Sequence, residues 1–72
     1  MDIREVKIHA DEEYITLNVL LKITGVIDTG GMAKIYLQTN DVYVNGEKED
    51  RRGRKLYRGD IVKTSGAEFV IK

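Results

Sequence analysis

The sequence predicts an α+β fold with two short helices packed on a small antiparallel sheet. Three observations carry that prediction. Leu17, Leu20, Leu21 and Thr24 recur at i, i+3, i+4 and i+7 between a capping residue, Thr16, and a terminating glycine, Gly25. Val42-Tyr43-Val44 runs into Asn45-Gly46, the strongest short hairpin signal. Two β-prone stretches near the C-terminus, Ile61-Val62-Lys63-Thr64 and Glu68 to Lys72, flank the turn residues Ser65-Gly66-Ala67.

Taken in chain order, Glu5-Val6-Lys7-Ile8-His9 alternates polar and apolar and reads as a half-buried strand. Ala10 to Glu13 is an acidic turn, and the first helix follows from Thr16 to Gly25. After the link Val26-Ile27-Asp28, Thr29 reads as a second N-cap. It opens a helix through Ala33, Tyr36 and Leu37 to about Asn40. Gly30 and Gly31 in its first turn are poor helix formers and need another reason to be there. The hairpin's return strand, Glu47-Lys48-Glu49, is polar and is expected to be exposed or at an edge. Residues 51–58 are expected to form a loop, and Gly59-Asp60 turns the chain into the last hairpin. Phe69, Ile71, Val6, Ile8 and Ile61 are expected to share one core face.

Length and composition bound the class. A chain of 72 residues is one domain, spanning 1–72, near the lower limit for folding without staples. There is no cysteine, hence no disulfide and no thiolate for metal or nucleophilic chemistry. No apolar run approaches the roughly 18 residues of a membrane span. The start, Met1-Asp2-Ile3-Arg4-Glu5, lacks the basic-then-apolar layout of a secretory signal. A cytoplasmic module is therefore expected, with no membrane partner.

Charge is the first pointer to function. Residues 1–46 carry net −3 and residues 47–72 net +3, although the whole chain sums to zero. Five cations, Arg51, Arg52, Arg54, Lys55 and Arg58, fall within residues 51–58 with no acid among them. A polyanion docking on that face is the sharp hypothesis; a solvated, flexible loop is the plain one.

Catalysis has little support. The chain has no Ser/His/Asp arrangement in a strand–turn–helix context and no phosphate loop ending in Gly-Lys-Ser/Thr. His9 is the only histidine, so no metal site or cofactor is expected. Asp11, Glu12 and Glu13 read as a solvated turn, and Arg58-Gly59-Asp60 as a turn before a strand. A β-grasp carrier would share the length, but the chain ends Phe69-Val70-Ile71-Lys72 and not in Gly-Gly. No small-molecule substrate is expected. Met32, Ile35 and Thr39 flank the second helix's core stripe; they either widen the core or form an apolar patch. Tyr36, Tyr43 and Tyr57 could stack on bases or complete the core, with Tyr57 best placed for a functional role.

The ordered set helix–Gly25–Thr29–Ala33-Lys34, then Asp41-Val42-Tyr43-Val44-Asn45-Gly46, then Leu56 and Gly59-Asp60-Ile61-Val62, resembles a known family. It looks like the S-four-like RNA-binding domain, the alpha-L RNA-binding motif, over residues 17–62, with an added N-terminal strand and C-terminal hairpin. Lys22 to Lys34 together with Arg51 to Leu56 is similar to the small stand-alone bacterial members called YaaA. The resemblance implies a non-catalytic monomer whose partner is structured RNA, ribosomal RNA or the ribosome. In that family the two helices and the adjoining hairpin form the docking surface.

Three departures matter. Thr29-Gly30 stands where most members have Ser-Arg, Ile23 where the first helix often carries a base, and Glu49 where the return strand is usually apolar. Lys22 and Lys34 are then the cations left on the helices, and Arg51, Arg52, Arg54, Lys55 and Arg58 must supply most of the charge. Thr29, Gly30 and Gly31 are candidates to seat a phosphate on the helix N-terminus, with close helix–helix packing as the alternative reason for the glycines. Contact with about five phosphates implies a slope of log K against log salt of roughly −3 to −5. The alternative function is a protein-interaction module using Met32 and Ile35.

Overall fold

The computed structural model describes residues 3–72; Met1 and Asp2, which open the segment compared with a secretory signal, lie outside them. The elements are β1 (Ile3–Val6), β2 (Tyr14–Thr16), α1 (Leu17–Ile23), α2 (Met32–Thr39), β3 (Tyr43–Val44), β4 (Glu47–Lys48), β5 (Lys55–Tyr57), β6 (Ile61–Lys63) and β7 (Glu68–Ile71). The α+β prediction with two helices holds. The main sheet has the order β1-β7-β6-β3-β4, and β2 and β5 form a separate two-stranded ribbon.

Local chemistry explains the first helix. The Thr16 hydroxyl accepts from the Val19 amide at 3.3 Å, so the expected cap is made. At the other end Gly25 sits at φ 82°, Val26 N donates to Leu21 O at 2.9 Å, and Gly25 N donates to Lys22 O at 3.2 Å. This pair of bonds is a Schellman closure, and the left-handed φ at Gly25 is what lets it form. Leu17, Leu20 and Leu21 are completely buried, as their spacing requires.

Asn45 at φ 52° and Gly46 at φ 86° make a tight two-residue turn with both central φ angles positive. Asn45 does more than turn the chain. Its Oδ1 accepts from Ile61 N at 2.9 Å and its Nδ2 donates to Asp60 Oδ1 at 3.1 Å, which ties the hairpin tip to β6.

Several expectations are corrected. The first strand starts and ends earlier than Glu5–His9, because its bounds follow its partner β7, along which Ile3 to Val6 pair with Glu68 to Ile71. That pairing is parallel, so the sheet is mixed and not purely antiparallel. Val6 and Ile8 still face the core, with Phe69 and Ile71. Ile61 does not. It lies opposite Val70 and is 42% exposed, whereas Val62 pairs with Phe69 and is buried, since side chains alternate strictly between faces.

The second helix begins later than Thr29. Gly31 is its N-cap with no side-chain bond, because a tighter turn precedes it: Met32 N donates to Thr29 O at 3.1 Å and Ala33 N to Gly30 O at 3.3 Å. Backbone carbonyls thus take amides that a capping hydroxyl would have served. Met32 and Ile35 are exposed and do not widen the core; with Val26, Ile27, Tyr36 and Thr39 they line a shallow recess of about 190 Å³. None of the described helices is long and apolar enough to cross a membrane.

Candidate nucleic-acid interface

Residues 49–58 depart most from the sequence-based expectation. Glu49, expected on an exposed strand, is only 5% exposed. Strand β4 ends at Lys48, but the Glu49 amide still donates to Val42 O at 2.8 Å, so the β3–β4 register sets Glu49 opposite buried Val42 and on its face. A buried carboxylate is costly unless its oxygens are paired. Here Oε2 accepts from Asp50 N at 3.1 Å, Arg51 N at 3.0 Å and Arg51 Nε at 3.0 Å. Oε1 accepts from Arg51 Nη2 at 3.2 Å and Arg54 Nη1 at 2.9 Å. Hydrogen bonds from the Arg51 side chain, joined by its amide and by Arg54, outweigh the cost of burial and pull the Glu49 carboxyl down to about 2. The reciprocal bonds push the Arg51 guanidinium up.

The backbone of the same segment is clamped to α1. Leu17 N donates to Arg54 O and Asn18 N to Arg52 O, both at 2.9 Å. These are amides at the start of a helix, which have no partner within it, so the basic segment satisfies α1 while α1 holds the segment. Beyond it, β5 pairs antiparallel with β2: Thr16 faces Lys55, Ile15 faces Leu56 and Tyr14 faces Tyr57. Leu56 points inward and is completely buried. The loop reading of residues 51–58 therefore fails for Lys55–Tyr57, which are strand, and residues 51–54 are bonded to Glu49 and to the first amides of α1.

The glycine turn reaches the same place. A Cβ on Gly30 would lie 3.4 Å from Asn18 Nδ2, so the start of α2 packs closely on the Asn18 side chain. Gly31 has only the Thr29 hydroxyl nearby, at 3.9 Å. Asn18 thus joins two segments far apart in sequence, the Thr29-Gly30-Gly31 turn through its side chain and the Arg52 carbonyl through its amide. Its Oδ1 is buried without a hydrogen-bond partner among the described residues. Lys22, exposed, follows Asn18 by one helical turn, and exposed Lys34 follows Gly30 by the same interval.

The cations are not equivalent. Arg52 and Lys55 are exposed, whereas Arg51 and Arg54 share Glu49. Arg58 acts on the backbone instead. Its guanidinium donates to Glu12 O at 3.0 Å and to His9 O at 2.9 Å, fastening the acidic turn to the end of β5. Next to Arg51 and Arg54 an open cleft of about 610 Å³ is lined by Gly53, Lys55, Tyr57 and Asp60 as well.

The sequence matches the S4 domain over residues 6–72. The chain belongs to the S4 domain family. A relative from Bacillus subtilis (strain 168), described as "Probable ribosome maturation protein RlbA", is 52% identical over 59 residues, 82% of this chain and 83% of the relative. The matched span runs beyond residues 17–62 at both ends, from Val6, the last residue of β1, through the C-terminal hairpin. Sequence reasoning missed Glu49, Asn18 and Tyr14 as organising residues of this S4 domain. Polar character made Glu49 look exposed. The signal that could have placed it was an acid with Arg51 and Arg54 two and five residues on, close enough to satisfy one carboxylate.

Proposed function

We propose that this S4 domain is a non-catalytic RNA-binding module that docks on structured RNA, ribosomal RNA in particular. One observation carries the reading: Asn18 binds the Arg52 carbonyl through its amide and meets the turn before α2 through its side chain, and Lys22, Lys34, Arg52 and Lys55 are each exposed. The kinship with a protein described as acting in ribosome maturation supports the same class of partner. Phosphate contacts position a protein without reading sequence, so recognition is of RNA shape.

Because Arg51 and Arg54 share a carboxylate and Arg58 is engaged by carbonyls, the effective contacts number about three to five. Binding to a structured ribosomal RNA fragment is then expected to weaken with salt at a slope of about −2 to −4 in log K against log salt. Titrations at several salt concentrations check this, and a slope near zero removes electrostatic docking.

Thr29, Gly30 and Gly31 form the proposed phosphate seat at the start of α2, where the amides of Gly30 and Gly31, outside the turn bonds of Met32 and Ala33, and the helix dipole favour an anion. Gly31→Ala tests it cleanly, since Gly31 lies at φ −68° with room for a Cβ. The variant is expected to keep its thermal midpoint while RNA affinity drops several-fold. Unchanged affinity assigns the glycines to helix packing alone. A second reading rests on the exposed Met32 and Ile35 recess, which suits a protein partner.

A further inference from the structure

The β2–β5 ribbon carries an arrangement that phosphate docking leaves unused. Its inward residue is Leu56; its outward face presents Tyr14 and Tyr57, directly opposite one another, with Lys55 two residues along. The rings are 5.7 Å apart at 51°, and Lys55 Nζ lies 5.0 Å from the centre of Tyr14. Cross-strand aromatic pairs stabilise a ribbon, but these two rings remain 36% and 46% exposed. Tyr57 also lines the cleft beside Arg51 and Arg54. The cleft's one acid, Asp60, is engaged: Oδ2 accepts from Tyr57 N at 2.8 Å and Oδ1 from Asn45 Nδ2 at 3.1 Å. The bond to Tyr57 N also fixes the backbone from which the Tyr57 ring projects.

We infer that the Tyr14–Tyr57 pair is a stacking platform for an unpaired base of the bound RNA, with Lys55 on a flanking phosphate. The inference rests on the RNA-binding function proposed above and narrows its partner to RNA with an unstacked nucleotide beside the contacted backbone. A ring face accepts any base, so the platform selects for accessibility and not for identity. The adjoining cations favour a nucleotide over an uncharged aromatic group.

The probes are a hairpin RNA with an oligouridine loop and a blunt duplex of the same stem. Tyr57→Ala is expected to weaken hairpin binding by about 5- to 150-fold, as one stacked base would, and to leave duplex binding unchanged. Tyr57→Phe keeps the ring and should bind the hairpin like the wild type, which separates stacking from a hydroxyl contact. Tyr14→Phe and Tyr14→Ala should repeat the pattern. Circular dichroism and the thermal midpoint establish that each variant is folded; if Tyr57→Ala unfolds, Tyr57→Ser with the same duplex control replaces it. Equal loss on hairpin and duplex, or no loss on either, overturns the platform while RNA binding stands. Wild-type binding to neither RNA overturns both proposals. Tyr57-dependent binding of polyglutamate as tight as that of the hairpin assigns the cleft to an acidic peptide and overturns the nucleotide.

Discussion

Replacing Glu49 with alanine is expected to lower the unfolding free energy by about 2–4 kcal/mol, a large part of the stability of a domain this small. The side chain of Arg51 is 73% exposed, so its ion pair contributes little, about 1 kcal/mol or less. Arg54 is different. Its side chain is 31% exposed and would lose its carboxylate partner, as would the amides of Asp50 and Arg51. Hydrogen bonds to a charged group are worth roughly 1.5–3 kcal/mol where solvent cannot replace them. In a thermal scan the loss corresponds to a midpoint lowered by about 10–20 °C. Glu49→Leu should recover part of the stability through the apolar area it buries, although Arg51, Arg54 and the two amides still lose their partner. It cannot recover the grip on Arg51 and Arg54. Comparing the two variants therefore separates the stability of the fold from the order of the basic segment.

Acid provides a check on the same residue. The Glu49 carboxyl titrates from an ordinary 4.5 in the unfolded chain and about 2 in the folded one. A depressed folded value means the stabilisation is complete above the unfolded pKa and is lost as pH falls toward the folded one. Urea midpoints of the wild type should drop across that window, and those of Glu49→Leu should drop less. Parallel pH profiles for the two proteins would remove Glu49 as the source of the acid sensitivity.

Replacing Arg52 and Lys55 together with serine is expected to shrink the salt slope of RNA binding by about 2, at nearly unchanged thermal stability. These two cations are chosen because they have no acidic partner among the described residues: the Arg52 carbonyl accepts from Asn18 N, and Lys55 lies over Tyr14. Serine at Arg51 and Arg54 as well would strip Glu49 of its partners. Any loss of binding could then come from an unfolded loop. Fragment titrations at two or more salt concentrations read the change, and an unaltered slope would place the contacted phosphates elsewhere.

Particular residues show why some of this was legible in sequence and some was not. Thr16, Gly25, Asn45 and Gly46 act on their own neighbours, through a hydroxyl three residues from an amide or a left-handed φ. Such signals need no tertiary context, and each was placed correctly. Thr29 has the same chemistry as Thr16 but failed as a cap, because the two glycines after it let the chain tighten into a turn with its own carbonyl partners. Ile61 was misplaced by a single residue. In a strand that is enough to reverse its face, and the hairpin register sets it.

Residues 51–58 mark the boundary between the two kinds of information. Their composition by itself determined that five cations stay close together, since no fold can disperse cations packed into so short a stretch. Local spacing determined both helices and the Asn45-Gly46 hairpin. Only the tertiary structure decided which cations remain free. Glu49 precedes the segment by only two residues, but Asn18, Tyr14 and the carbonyls of His9 and Glu12 come from distant parts of the chain. They meet the basic segment only once β2 pairs with β5 and the first amides of α1 take its carbonyls. Charge can be counted along a sequence, but its neutralisation depends on distances that only the folded backbone sets.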